Sequence, residues 1–141
     1  MVMAFRVEVV SPEQVIYSGE ADMVITRTAE GGEIAFQAGH APFLGGLVEN
    51  HTRIFQTDGT LVDMAVHRGF VEVHGDPTVV TILSDTAELA KDIDVERAKQ
   101  ALERHEHTLR HESGEKEIAD ALAGKARAHA RLKASGYGFT A

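Results

Sequence analysis

Four arginines near the end of the chain have the spacing of a phosphate-binding cluster. Arg97 and Arg104 are seven residues apart and share one face if this segment is helical. Arg127 and Arg131, four residues apart, share a face in the same way. If the two segments pair as antiparallel helices, Asp94, at the start of the first, lies close to Arg127 and Arg131. Guanidinium groups bind phosphate as a fork and a helix N-terminus adds positive dipole, so this arrangement could form a nucleotide site.

The carboxylates near these arginines leave two interpretations open. Glu88 or Asp94 could accept hydrogen bonds from an adenine amino group or a ribose, which would complete a nucleotide site. Alternatively, the charges form ordinary ion pairs along their own helices, for example Glu96 with the neighbours of Arg97 or Glu103 with Arg104. Spacing alone favours the ion pairs.

The eight histidines do not form a recognisable metal site. His107 and His111 have the i,i+4 spacing of a zinc pair, but Leu109 stands where a zincin motif begun by His105-Glu106 needs its second histidine. The helix around them is polar, which favours solvated surface histidines. We therefore predict no bound metal.

The sequence also lacks the usual nucleophile motifs. It contains no cysteine and no Gly-X-Ser-X-Gly, and neither Gly31-Gly32 nor Gly45-Gly46 is followed by the Lys-Ser/Thr of a phosphate-binding loop. We predict no catalytic residue and interpret the first half of the chain as a scaffold with a binding surface.

Residues 1–86 have the pattern of an antiparallel β-sandwich. About nine short strands follow one another at spacings near ten residues, separated by turn signals such as Glu30-Gly31-Gly32 and Asp58-Gly59. Ser18-Gly19 is expected to separate two of these strands. Residues 79–83 are almost entirely apolar, which predicts a strand covered on both faces.

Residues 87–141 have the pattern of an antiparallel two-helix hairpin, so the predicted fold class is α+β. Asp85 lies three residues before Glu88, the spacing of a capping box or a single helical turn. Apolar residues recur at helical spacing from Asp94 until Glu112-Ser113-Gly114 breaks the pattern, and an alanine-rich second helix follows, with Leu122 on its apolar stripe. The stripes are thin, so the hairpin is expected to be held marginally and to be able to move.

The net charge of −8 is concentrated in the first half. Residues 1–86 carry four bases and twelve acids, whereas residues 87–141 carry ten of each and no acid follows Asp120. An acidic first half argues against nucleic-acid binding there. The basic end could hold an anion or an acidic protein surface, or be a solvated helix end that complements the dipole. No 18-residue apolar run and no signal-peptide pattern is visible, and the lack of cysteine suits the cytoplasm.

Seven short motifs follow one another in an order that is specific, although each is weak alone. They are Val9-Val10-Ser11-Pro12-Glu13, Tyr17-Ser18-Gly19, Gly32-Glu33-Ile34, Gly39-His40-Ala41-Pro42, Arg68-Gly69-Phe70-Val71-Glu72-Val73, Leu83-Ser84-Asp85-Thr86-Ala87-Glu88 and Ile93-Asp94-Val95-Glu96-Arg97-Ala98. In this order the chain resembles the epsilon subunit of bacterial F-type rotary ATP synthases along its full length. The last motif matches the family's ATP-recognition pattern Ile/Leu-Asp-X-X-Arg-Ala. Two departures are Phe36-Gln37-Ala38, which lacks the usual proline, and Arg68, which replaces the first glycine of a pair.

The resemblance implies a non-catalytic central-stalk subunit that couples the rotor to the catalytic head. Its sandwich would bind the gamma subunit and the c-ring, with Glu33 and His40 in loops that face the ring. Its C-terminal helices would reach the alpha/beta catalytic hexamer and inhibit ATP hydrolysis. The subunit would be peripheral to the membrane, at the cytoplasmic face of the bacterial cell membrane.

The resemblance also bears on the arginine cluster. In members that bind ATP on the folded hairpin, the matching positions here are Glu88, Asp94, Ala98, Arg104, Arg127 and Arg131. All are retained, which raises the nucleotide interpretation above the ion-pair one. ATP would then be a regulatory ligand, and no cofactor would be required.

A free-standing β-sandwich protein, either a ligand binder or an enzyme with a helical lid, is the alternative. Such a protein would purify alone with a pocket and turnover, whereas a rotor subunit would co-purify with the gamma subunit and the membrane sector. The histidine and cysteine content disfavours the free-standing alternative.

Overall fold

The computed structural model describes residues 3–137, which form a β-sandwich followed by a helical hairpin. The strands are β1 (Phe5–Val10), β2 (Val15–Thr28), β3 (Gly32–Phe36), β4 (Phe43–Leu47), β5 (Asn50–Gln56), β6 (Leu61–His74) and β7 (Val79–Leu89). A 3₁₀ turn (Ala90–Asp92) leads into the helices α1 (Val95–His111) and α2 (Glu115–Ala134). The predicted fold class is confirmed. Within the described residues, neither helix combines the length and apolarity needed to cross a bilayer.

Residues 3–137 contain seven strands rather than the roughly nine predicted, because β2, β6 and β7 are longer than expected. Strand β2 runs through Ser18-Gly19 without a break, since Ser18 pairs with Glu8 and Gly19 with Val7. The first half of β2 pairs with β1 and its second half with β3 and β5. Strand β6 likewise pairs first with β5 and then with β4. Each long strand therefore contributes to more than one part of the sandwich.

Strand β7 differs from the prediction in three respects. It pairs antiparallel with β6 but parallel with β1. It is covered on one face rather than two, because Leu83 is 50% exposed. It also continues to Leu89, so residues 84–88 form a strand and not a capping box or helical turn. The spacing of Asp85 and Glu88 was misleading because pairing with β6, including Ala65 with Glu88, decides the local conformation.

Arg68 and Gly69 lie where β6 changes partner from β5 to β4. Arg68 adopts a left-handed φ of 43°, which costs a non-glycine residue about 1–2 kcal/mol. Gly69 has a φ of 141°, and a Cβ there would lie 2.9 Å from the carbonyl carbon of Leu83. A glycine is therefore required at 69, and the glycine expected at 68 from the resemblance would fit the left-handed conformation that Arg68 adopts.

The main hydrophobic core lies inside the sandwich. Fifteen buried residues form one cluster, whose largest fully buried members are Phe5, Phe36, Ile54, Met64 and Ile82. Each such side chain contributes about 2–3 kcal/mol on burial. The sandwich is therefore a firmly packed platform.

The hairpin is packed much more lightly. Ala98 and Leu102 of α1 meet Leu132 and Ala128 of α2, which confirms the antiparallel pairing. The hairpin meets the sandwich through an alanine seam, in which Ala130 and Ala134 of α2 contact Ala65 of β6, with Ile93 beside them. Leu122 does not belong to the buried stripe, since it is 55% exposed. Alanine buries little apolar area, so this seam contributes far less than the sandwich core.

Candidate functional site

A cleft of about 580 Å³ lies between the two helices and the end of β7. We call it the arginine cleft. It brings together all six positions that the resemblance assigns to ATP binding, Glu88, Asp94, Ala98, Arg104, Arg127 and Arg131, and also Arg97. Asp94 is the N-cap of α1, as the sequence suggested, because its Oδ1 accepts a hydrogen bond from the Arg97 amide at 3.0 Å. Ala98 forms a buried part of the wall.

Three arginines of the cleft have no carboxylate partner. Within residues 3–137, neither Arg97 nor Arg104 nor Arg127 forms an ion pair, so the pairing of Arg104 with Glu103 does not occur. Unpaired guanidinium groups gathered in one cleft attract anions, phosphate above all. The ion-pair interpretation that spacing favoured is therefore wrong for these three side chains.

The fourth arginine connects the cleft to the sandwich. Arg131 Nε donates to Glu88 Oε2 at 2.7 Å, and we call this contact the docking pair. His67 Nε2 donates to the same Glu88 oxygen at 2.9 Å, and His67 Nδ1 lies 3.3 Å from Glu49 Oε2. His67 is 3% exposed, whereas the side chains of Glu88 and Arg131 are partly exposed, so the docking pair joins a buried histidine of the sandwich to helix α2.

The environment of Glu88 favours its charged form. Burial by itself would raise the pKa of Glu88, but the hydrogen bonds from His67 and Arg131, together with the charge of Arg131, outweigh burial and hold the pKa below its ordinary 4.5. Glu88 is thus an anionic anchor at neutral pH, facing both the sandwich and the cleft.

His105 lines the same cleft, and sequence reasoning considered it only as part of a failed metal motif. Its ring lies against Gly124 of α2, where a Cβ would come within 2.8 Å of the His105 Cδ2 atom. The signal that could have found it is Gly124 in an alanine-rich helix, directly opposite His105 in the antiparallel pairing. His107 and His111 lie on the exposed surface with their ring centroids 4.2 Å apart, as predicted.

Glu33 and His40 occupy separate positions on the sandwich. Glu33 lies on strand β3 and not in a loop as expected, because it pairs with Arg27 of β2. Its side chain is 55% exposed and accepts a hydrogen bond from Arg53 Nη2 at 2.8 Å. His40, in the loop between β3 and β4, donates from Nδ1 to the Ala41 carbonyl at 2.7 Å, and its ring centroid is 4.9 Å from that of Phe36. His40 therefore stabilises the loop that lacks the expected proline. No contact in the structure tests a role of either residue in binding a ring.

A row of exposed apolar side chains crosses the sandwich surface. Phe70 pairs with Leu83, Leu83 with Val10, and Val10 with Val15 across four neighbouring strands. Leu44 lies beside the row on β4. Val15, Leu44, Phe70 and Leu83 are each at least half exposed. A contiguous exposed apolar row of this kind is typical of a surface that binds another protein.

Comparison with known proteins covers almost the whole chain. The family model described as the ATP synthase delta/epsilon chain, beta-sandwich domain, matches residues 4–90, and the one described as the long alpha-helix domain matches residues 91–136. The ATP synthase epsilon chain of Brevibacillus brevis is 52% identical over 103 residues, which cover 73% of this chain and 76% of that one. The epsilon chain of Thioalkalivibrio sulfidiphilus is 39% identical over 134 residues, which cover 94% and 93%.

Solved structures share the fold at lower sequence identity. A chain of the Euglena gracilis mitochondrial ATP synthase superposes with a TM-score of 0.81 at 21% identity, covering 94% of this chain and 81% of that one. A chain of the Tetrahymena thermophila mitochondrial ATP synthase, from its central stalk and c-ring, gives 0.61 at 20% identity, covering 93% and 96%. With both domains matched in order and full-length relatives above 30% identity, the chain belongs to the epsilon-subunit family of F-type ATP synthases.

Proposed function

We propose that this chain is a non-catalytic regulatory subunit of the central stalk, in which the sandwich binds the rotor and the hairpin senses ATP. The observation that carries the proposal is the arginine cleft, where three unpaired guanidinium groups lie beside the docking pair in a member of this family. With ATP bound, the hairpin stays folded on the sandwich. Without ATP, it is released toward the catalytic hexamer and inhibits ATP hydrolysis.

The cleft offers complementary groups to both halves of a nucleotide. Arg97, Arg104 and Arg127 can bind phosphate oxygens without first breaking an ion pair. Asp94 and Glu88 can accept hydrogen bonds from the ribose or the adenine amino group. The small side chain of Ala98 keeps the wall low, so that the ligand can approach both helices.

The docking of the hairpin is weak enough to be regulated. It rests on the alanine seam and the docking pair, without any large apolar side chain of α2 in the seam. Two arrangements separated by a few kcal/mol can be interconverted by a ligand that binds only one of them. Because ATP contacts both helices and Glu88, it would stabilise the docked arrangement by mass action.

The sandwich offers a surface for the rotor. The exposed apolar row suits the gamma subunit, since contiguous apolar patches mark protein interfaces. A groove of about 560 Å³ runs from Glu33 to Leu44 and joins that row to the predicted ring-facing side. Binding to gamma and the c-ring would keep the subunit peripheral to the membrane, at its cytoplasmic face. The family membership gives no support to a free-standing enzyme.

Titration of the isolated protein with ATP tests the sensing proposal. We expect saturable binding at one site by calorimetry, and a loss of affinity of about tenfold or more in Arg127→Ala, since one charged hydrogen-bonding partner is removed. Lys116→Ala is the matched control, because Lys116 pairs with Asp120 on the same helix but outside the cleft. Equal affinities of Arg127→Ala and wild type would contradict the assignment of the cleft.

A reconstituted complex tests the inhibitory role. After Asp120, helix α2 carries only basic charges, at Lys125, Arg127, Arg131 and Lys133, which would face an acidic surface of the catalytic hexamer. We expect Arg127→Glu with Lys133→Glu to raise the rate of ATP hydrolysis because like charges repel. An unchanged rate in the assembled mutant complex, with gamma still bound, would count against inhibition through this helix.

A further inference from the structure

His105 lines the arginine cleft and differs from the arginines there because its charge can change near neutral pH. Its ring is held between the helices because residue 124 is glycine, and any side chain there would overlap it. Within the described residues its ring forms no hydrogen bond, so both ring nitrogens remain available to a ligand. His105 is therefore a titratable residue of the cleft whose ring has no hydrogen bond to another described residue.

The charges around His105 come from both helices. Arg104 precedes it on α1, and Arg127 faces it from α2. Partial burial, followed by the positive charges of Arg104 and Arg127, lowers the pKa of His105 from its ordinary 6.5. In the empty cleft the imidazole is thus mostly neutral at pH 7.

The carboxylates of the cleft, which belong to Glu88, Asp92 and Asp94, lie toward its other end. Asp94 begins α1, eleven residues before His105, which corresponds to about 16 Å along a helix axis. Glu88 Oε2 accepts a hydrogen bond from Arg131, which lies one helical turn beyond Arg127. The Arg104, His105 and Arg127 end of the cleft is therefore the more positive one, and it is the end that the triphosphate of a nucleotide should occupy.

We propose that His105 is a proton-accepting ligand residue of this cleft, so that a nucleoside triphosphate binds together with one proton, taken from solvent onto the His105 imidazole. This inference rests on the proposed function, since it assumes that the cleft binds ATP. The triphosphate cancels the charges of Arg104 and Arg127 and brings anionic oxygens to the ring. Both changes favour imidazolium over imidazole. The hairpin would then hold ATP more tightly as the surrounding pH falls.

Calorimetric titration with ATP across the range from about pH 6 to about pH 8 tests the inference. ATP itself changes protonation in this range, so the informative quantity is the affinity of wild type relative to His105→Gln at each pH. We expect this ratio to rise about three- to tenfold from the higher to the lower pH, as one linked proton allows at most tenfold per unit of pKa change. Repeating the titration in buffers with different ionisation enthalpies should show a larger proton uptake in wild type than in His105→Gln.

Two further variants distinguish the effect of the His105 ring from a general effect on folding. Gly124→Ala keeps His105 but pushes its ring out of the cleft, so we expect it to lose the pH-dependent ratio. His107→Gln, on the exposed side of the same helix, should keep the wild-type profile. Proton NMR of the His105 ring, assigned with His105→Gln, should show its pKa rising when ATP is added.

The outcomes are distinguishable. Saturable ATP binding with identical pH profiles in wild type and His105→Gln, or a His105 pKa unchanged by ATP, overturns the proton coupling and leaves the ATP site intact. No saturable binding at any pH overturns both.

Discussion

The sandwich and the hairpin differ in how much apolar surface each buries. The hydrophobic cluster inside the sandwich has fifteen buried members, including large aromatic and branched side chains. The hydrophobic cluster between the helices has four buried members, two of them alanines, and the seam to the sandwich has three, all alanines. Burial of apolar area sets most of the stability of each part. The chain therefore combines a rigid platform with an arm whose position can be decided by a few polar contacts.

The largest loss of stability should come from shortening a core side chain of the platform. We expect Ile54→Ala, at a fully buried core position, to lower the free energy of unfolding by about 2–5 kcal/mol, because it removes apolar burial and leaves a cavity. Urea titration followed by circular dichroism in the strand region measures it. Ile54→Val, which keeps most of the side chain, should cost about 0.5–1.5 kcal/mol. If Ile54→Ala lowered the free energy of unfolding only slightly, the inferred difference in packing between the platform and the arm would be contradicted.

A matching truncation in the arm should have a local effect instead. Leu132 is fully buried between the helices, so Leu132→Ala should destabilise the closed hairpin by about 2–4 kcal/mol and leave the sandwich transition nearly unchanged. Hydrogen exchange resolves the two regions, with faster exchange expected in α1 and α2 only. Leu122→Ala, at an exposed position of the same helix, is the control. Equal loss of protection in the sandwich would mean that arm and platform unfold as one unit.

The outline of this contrast could be predicted from the sequence, whereas several details could not. Turn residues and helical periodicity predicted the sandwich, the hairpin and the Asp94 cap, because these depend on local chemistry. The strand identity of residues 84–88 depends on pairing with β6, which is non-local. The docking pair joins residues 88 and 131, and the contact of His105 with Gly124 depends on the exact stagger of two helices. The resemblance supplied the six cleft positions, whereas spacing alone favoured ion pairs along the helices, of which Glu96 with Lys99 forms and Glu103 with Arg104 does not.

The docking pair should make the docking of the arm on the platform depend on pH. Burial raises the pKa of Glu88, but the hydrogen bonds from His67 and Arg131 and the charge of Arg131 lower it below 4.5 in the docked state. The contribution of Arg131 stabilises docking at neutral pH and is lost as pH falls through the lowered pKa. Glu88→Gln should weaken docking by about 1–3 kcal/mol at neutral pH, since a charged hydrogen bond is lost. NMR shifts of the Ala130 and Ala134 amides report docking. In wild type they should move toward undocked values as pH falls below 4.5, and in Glu88→Gln they should already be shifted and vary little.

The smallest effect should come from Gly124→Ala, where two contributions oppose each other. A helix-interior glycine costs about 1 kcal/mol relative to alanine, so the substitution favours α2. The new Cβ overlaps the His105 ring, but that ring is the far end of a flexible side chain and can rotate toward solvent. We therefore expect the stability of the hairpin to change by less than about 1 kcal/mol. Hydrogen exchange of α2 measures this change. A loss as large as that in Leu132→Ala would mean that the helices cannot adjust at this contact, and that the arm is more tightly packed than its alanine interior indicates.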